Sequence, residues 1–432
     1  MRILTLTWEF PPVITGGLGM ACYGMVKSLL RKQVEVDLVM PTSRPVFFSL
    51  RNPEDADNLP IASDQAGPGS LHMSREELTK LLANPISAYH TIKHNPISKS
   101  LNISHPAIKP LSPGLGELSE ILASEDPLFR QVRSFTEMAL KLASKLDIDL
   151  IHAHDWLGYP AAMILKKTLN RPFVAHIHAT EFDRAGGTGN HRIHHLEYLG
   201  LDYADRVVAV SGYTANTIAE KYSIPPQKIS VVHNAYSVPN SPNNHRRIFK
   251  ENTVLFMGRI TLQKGPDYFL EVARRVLDHN KNVRFIMAGT GDMKNGILHR
   301  AAAMGLGTRF LVAGFLDREQ VDQILSTTDI FVLPSISEPF GIAPLEAMSH
   351  GAIAIVSKKA GVAEIIHNAF KIDFWDIDQM VSTILDLTDN PDKLREMSIR
   401  SRNEVANLQW DQAAEKLINV YRQATEAQTC SI

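Results

Sequence analysis

Two glutamates eight residues apart, Glu338 and Glu346, bracket the segment SEPFGIAPLEAMS. Glu338 stands beside Pro339 and Gly341 in what these residue types make a loop, a place where only function or a local cap favours a carboxylate. Glu346 follows Pro344 by two residues, which suits the first turns of a helix. A chain that enters a helix this way leaves the amides of Phe340, Gly341 and Ile342 without helical partners and turned into a crevice, where a phosphate is welcome. With all eight steps helical the two Cα atoms would be at most roughly 12 Å apart, about the span from a hexose to a ribose across a diphosphate. An acid in a first turn also suits the helix dipole, so Glu346 taken alone has a structural explanation.

Three further groups could meet that segment. In GRITLQKGP, Arg259 and Lys264 lie in a loop before Pro266, where two cations could neutralise a leaving diphosphate without a metal. Taken alone, they also read as solvated surface charges. In GGLG, Gly16, Gly17 and Gly19 let backbone approach a phosphate at the start of the following helix, although a plain tight turn explains them as well. Histidines are frequent: His152 and His154 beside Asp155, His176 and His178 in HIHATEFDR, and the pair His194 and His195. HxH invites a metal, but no third ligand stands at helical spacing as in HExxH, so no metal is expected. Asp147 with Asp149, and Asp376 with Asp378, read as solvated or capping carboxylates rather than magnesium ligands.

The elements that must position these groups alternate in type. Arg2–Thr7 and Val34–Met40 read as strands around a helix at about Met20–Arg31. Residues 41–127 are rich in turn signals and read as an elaborated insertion over the acceptor side of a cleft. Order resumes with a helix at about Leu128–Lys145, then strands at Leu150–His154, Phe173–Ile177, Arg206–Val210 and Ile229–His233. Helices at Tyr159–Leu169 and Gly212–Tyr222 fall between them. That makes about six strands in the first half, read as parallel. After a polar linker, Tyr236–Asn252, strands at Thr253–Met257, Val283–Ala288, Phe310–Ala313, Ile330–Leu333, Ala352–Ser357 and Phe370–Phe374 alternate with helices, and the tail is helical.

The expected architecture is α/β: two doubly wound Rossmann-like domains facing a central cleft. The first covers 1–240 with its insertion at about 41–127, the second covers 253–410, and a helix at 411–432 could pack back on the first. A length of 432 residues agrees with two domains. A formal net charge of −1 argues against a nucleic-acid or anionic-membrane partner. Cys22 and Cys430, near opposite ends, give neither a disulfide framework nor a metal spacing, which points to a reducing cytoplasm. No stretch reads as a membrane span, and the opening apolar run is too short for a signal segment.

The order GGLG, GR-x4-KG, AGTGD and E-x7-E resembles the retaining GT-B glycosyltransferases of family 4 and their glycogen and starch synthase relatives. WEFPPVITGGLG, HAHDWLGYPA, HATEFDR, GVAEII and KIDFWDID add to that likeness. The resemblance implies roles by position. Gly16 and Gly17 would meet the donor phosphate, and Arg259 and Lys264 would bind the departing diphosphate. Glu338 would hold the donor sugar with the amides of Phe340 and Gly341, Ile342 lying alongside, while Glu346 takes the ribose hydroxyls. Phe315 and Leu316 would line the base, and His178 would contact the sugar near the reacting carbon. It further implies transfer of a hexose from ADP- or UDP-glucose to an α-glucan with no cofactor or metal. The alternative acceptor is a cell-envelope, lipid-linked or small-molecule glycan. Asn234-Ala235 replaces the Asn-Gly common in the family, and the sequence carries no signal for oligomeric state.

Overall fold

The computed structural model describes residues 1–11, 16–41, 46–57, 115–186, 189–237 and 247–429. Seven strands make one sheet: β1 at Arg2–Leu6, β2 at Glu35–Met40, β3 at Val46–Leu50, β4 at Leu150–His154, β5 at Phe173–Ile177, β6 at Arg206–Ala209 and β7 at Ile229–Val231. Their order is β3-β2-β1-β4-β5-β6-β7. Six make the other: β8 at Asn252–Met257, β9 at Val283–Ala288, β10 at Phe310–Gly314, β11 at Ile330–Leu333, β12 at Ile353–Ser357 and β13 at Phe370–Ile372, in the order β10-β9-β8-β11-β12-β13. Helices cover both faces of each sheet, which is why β4, β5 and β12 are buried at every position, the histidines of β4 and β5 included.

The expectation of six parallel strands in the first half needs correction. A seventh, β3, pairs antiparallel with β2 at the sheet edge. It lies within the turn-rich 41–127 stretch, where five strand residues between prolines leave little periodic signal. That stretch also holds helices at Pro53–Asp57 and Leu115–Leu122, while 58–114, and with it the expected placement over an acceptor, lies outside the described residues. Two helices, Glu181–Ala185 and His191–Tyr203, fall where no element was expected, and the helix expected from Tyr159 begins at Asp155.

Each strand order reverses once, between β1 and β4 in the first sheet and between β8 and β11 in the second. Ligands of doubly wound sheets bind beyond the carboxyl ends of the strands at such switch points. Four strand ends are thereby selected: those of β1, β4, β8 and β11. At or just beyond them lie Glu9 and Gly16, His154 and Asp155 where β4 passes straight into a helix, Arg259 to Gly265, and Pro334 to Ile342.

The C-terminal helix Trp410–Thr429 returns to the first sheet. Ala414, Leu417, Tyr421 and Ala424 share a buried cluster with Ala21, Cys22, Met25 and Leu29 of helix Gly17–Arg31. The approach is close enough that a Cβ on Gly24 would come within 2.3 Å of the Trp410 indole, so only glycine fits there.

Candidate active site

The loops after β8 and β11 are held as one unit. Gly265, at φ +68°, takes a left-handed turn that delivers the chain into helix Pro266–His279, and a Cβ there would sit 2.1 Å from the Pro334 carbonyl oxygen. The Ile336 amide donates to the Gln263 carbonyl at 2.9 Å. This contact brings Lys264 onto Glu338: their side chains form an ion pair, 16% and 6% exposed, and Ser335 Oγ donates to the same carboxylate at 3.2 Å. Arg259 is exposed nearby and bonds Gln263 Oε1 at 3.1 Å. Sequence reasoning gave Lys264 to a diphosphate and Glu338 to a sugar as separate duties; the structure joins them directly.

Gly341, at φ +93°, makes the turn that carries the chain from Glu338 to helix Ala343–Ser349. The amides of Phe340, Gly341 and Ile342 have no hydrogen-bond partner among the described residues. The Phe340 ring is buried, Ile342 is half-buried, and the Phe340 carbonyl accepts from the Val362 amide at 2.8 Å. Glu346 is paired with Arg318 Nη1, while Nη2 of the same guanidinium reaches Asp322 at 3.2 Å and the Tyr236 hydroxyl at 3.4 Å. Phe315, after β10, is 75% exposed and Leu316 is half-buried.

Across the crevice, the Glu9 carboxylate accepts the Gly16 amide at 3.1 Å and so shapes the glycine loop. Among the described residues, a Cβ on Gly17 would meet nothing within 4 Å. Asp155, at φ +57°, is buried at the first residue of its helix and accepts the His178 amide at 2.7 Å. A non-glycine residue held in that region stores strain, on the order of 1–3 kcal/mol. The His178 ring bonds His154 at 2.9 Å, and burial takes its imidazole down to about 3. It is therefore neutral at ordinary pH.

The sequence treated the two HxH pairs separately. In the sheet they are one array, because parallel register sets His154 against His176 and a two-residue step keeps each pair on one face. His152, His154 and His176 are all at most 2% exposed, and burial followed by their histidine neighbours holds each imidazole well below its usual value. His194 and His195 lie elsewhere, against Tyr222 at 3.2 Å and Glu117 at 3.1 Å.

The two halves of the crevice are tied to each other. Ser337 Oγ, next to Glu338, donates to Asp183 Oδ1 of the HATEFDR segment at 2.6 Å, and Ser211 Oγ donates to the Pro339 carbonyl at 2.6 Å. Glu364 accepts the Gly212 and Tyr213 amides at 2.8 and 2.9 Å and contacts His233 at 2.7 Å. Beneath the His178 loop lies a buried network: Glu197 meets Arg184 at 2.5 Å, accepts the Glu181 amide at 2.9 Å and receives the Tyr222 hydroxyl. Burial pushes the Glu197 carboxyl up to about 7.

Sequence reading missed Arg318, Asp183, Glu364 and Glu9. Arg318 had a detectable signal, an arginine in a helix's first turn against the dipole. Asp183 reads only as the partner of Thr180 in a capping box, a motif the segment does contain. Glu364 gives no local sign, since its partners are about 150 residues away.

Comparison with known proteins agrees with this layout. Residues 238–404 match the family model Glycosyl transferases group 1, and residues 107–238 match Glycosyltransferase Family 4. The chain is 26% identical over 459 residues to an uncharacterised glycosyltransferase of Methanocaldococcus jannaschii, covering 99% of both. It is 24% identical over 436 residues to a glycogen synthase of Mycobacterium tuberculosis, covering 98% of this chain and 94% of that one. Among solved structures, sucrose-phosphate synthase of Thermosynechococcus elongatus superposes with a TM-score of 0.69 at 17% identity, over 99% of both chains. The catalytic domain of Arabidopsis thaliana starch synthase IV, bound to ADP and acarbose, gives 0.66 at 14% identity, over 98% and 99%. At those identities the structural likeness concerns the fold.

Proposed function

Because the chain is a glycosyltransferase with the GT-B fold, we propose that its crevice moves a hexose, glucose from ADP- or UDP-glucose, onto an α-glucan chain with retention of anomeric configuration. The observation that carries this reading is the unit formed by Lys264, Glu338 and the open amides of Phe340 to Ile342, with Arg259 beside it. A nucleotide diphosphate entering there competes with Glu338 for Lys264. Once Lys264 turns to phosphate, the Glu338 carboxylate is released to accept sugar hydroxyls.

In this reading Arg259 and Lys264 take up the charge that grows on the leaving diphosphate, and the glycine loop at Gly16 and Gly17 approaches its other side. Glu346, kept in place by Arg318, receives the ribose hydroxyls, and the exposed Phe315 with Leu316 covers the base. His178, neutral and anchored through Asp155, holds the sugar. The acceptor hydroxyl attacks from the face the diphosphate leaves, and the departing phosphate oxygen takes its proton. No protein nucleophile is needed, so catalysis is positioning plus electrostatics. The two cations supply the charge that a divalent ion supplies elsewhere, so the transfer step requires no metal. A cytoplasmic location goes with these substrates. Among the described residues no helix is long and apolar enough to cross a membrane.

The 24% identity to a glycogen synthase over nearly the whole chain supports the glucan acceptor. The test is incubation with labelled ADP-glucose and UDP-glucose, with and without glycogen or maltooligosaccharides. Label entering the polymer, and α-linked product, is the expected result. Transfer only to a lipid or another glycan overturns the acceptor assignment and leaves the transferase standing.

A further inference from the structure

We propose that the histidine array between the first sheet and its C-terminal helix is a site for one transition-metal ion of the zinc type, held by His152, His154 and His176. One ring nitrogen from each of these residues lies within 4.8 Å of the other two. All three rings project from the face shared by β4 and β5, under Tyr421 of the C-terminal helix. The His152 Nε2 to His176 Nδ1 separation is 3.2 Å. Two nitrogens bound tetrahedrally to zinc at its usual bond length are about 3.4 Å apart, so little movement brings this pair to an ion.

The array's own hydrogen bonds do not complete it. Tyr421 Oη bonds His152 Nδ1 at 2.9 Å, and His152 Nε2 bonds His176 Nδ1, but His176 Nε2 is fully buried and has no partner among the described residues. Reversing the direction of the shared protons changes whether that nitrogen is a bare lone pair or an unused N–H, and leaves it unpartnered either way. An ion on His176 Nδ1 leaves that atom as it is, so the site rests on the spacing of the three rings and on the placement of Tyr421. The Tyr421 oxygen is placed to accept the second N–H of a ligating His152, as metal-bound histidines ordinarily require. His154 also belongs to a second group with Cys22 and His178, so a donor for a fourth position lies alongside. The donor set, imidazole with a neighbouring thiol and no carboxylate among the ligands, suits zinc, cobalt or copper and not magnesium or calcium.

This inference does not depend on the proposed transferase reaction, and the ion would brace the floor beneath His178 rather than touch the diphosphate. The test is metal analysis of protein from zinc-supplemented cells, followed by cobalt titration of the metal-free chain. About one zinc per chain, visible ligand-field bands of a four-coordinate cobalt site, and a rise in Tm on adding zinc are the expected results. His176→Phe should lose the bands and bind at least tenfold more weakly. His299→Ala and His367→Ala, which alter exposed histidines, should keep both. Zinc far below one equivalent in wild type together with no cobalt bands overturns the site. So does binding that survives His176→Phe and disappears in the surface variants. Should His176→Phe fail to fold, X-ray absorption on zinc-loaded wild type decides: three imidazole ligands support the site, and fewer than two overturn it.

Discussion

The two switch points use opposite electrostatics. Beyond the second sheet, charges stand ready in pairs: Lys264 with Glu338, and Arg318 with Glu346. Beyond the first sheet, three histidines are buried and a fourth, His178, is half-buried; all four are neutral, and Asp155 spends its carboxylate on the His178 amide. The first arrangement suits an anionic ligand that must be held and then released, since ion pairs can exchange partners. The second suits a neutral sugar that must be kept in one place. On this view the second sheet supplies transition-state stabilisation and the first supplies position.

The largest effect should come from breaking the charged side. Lys264→Ala is expected to lower kcat by roughly 10²–10³, the cost of losing one preorganised donor to developing negative charge. The loss also strands Glu338 in a partly buried position, and unpairing a buried ion pair costs about 3–5 kcal/mol. The double change Lys264→Ala with Glu338→Gln should therefore recover much of the Tm and none of the kcat. Recovery of both would mean the pair is structural.

On the neutral side, His178→Ala should reduce kcat by about 10–100-fold, in the range for a misplaced substrate, with KM for the donor changed little. A loss as large as that of Lys264→Ala would erase the proposed division. Glu346→Ala should raise donor KM about tenfold, near the 1.4 kcal/mol of a single good interaction, with kcat largely kept. Added magnesium or manganese should change the rate less than twofold if, as proposed, Arg259 and Lys264 supply the positive charge at the diphosphate.

A further effect is on stability and not on rate, and concerns the network that supports the His178 loop. Glu197 has its carboxyl near 7 when folded, against an ordinary value of 4.5. Folding thus favours the protonated form: that stabilisation is complete below about pH 4.5 and is lost as the pH rises through 7, by up to about 3 kcal/mol. Glu197→Gln should flatten the fall in Tm between pH 5 and 7.5. An unchanged slope would place the titrating group elsewhere.

Much of the fold was legible because parallel strands buried on both faces write continuous apolar runs, and glycine and proline mark the loop after each. Strands β11 and β12 carry such runs, the other parallel strands were still rich enough in apolar residues to be read, and the loops singled out for chemistry sit after β1, β5, β8, β10 and β11. The edge strand β3 did not show, since five residues among prolines have no period to read. Local chemistry was equally visible in Gly265 and Gly341, whose left-handed turns only glycine adopts without strain.

Relations across the chain were not in the sequence. The pairing of Lys264 with Glu338 spans 74 residues, and that of Tyr421 with His152 spans 269. A string of residue types fixes which groups can bond, while strand order and register decide which ones meet. For the histidines this difference was decisive. A third ligand sought at helical spacing was missing from the sequence, and the parallel register of β4 and β5 placed one on the neighbouring strand.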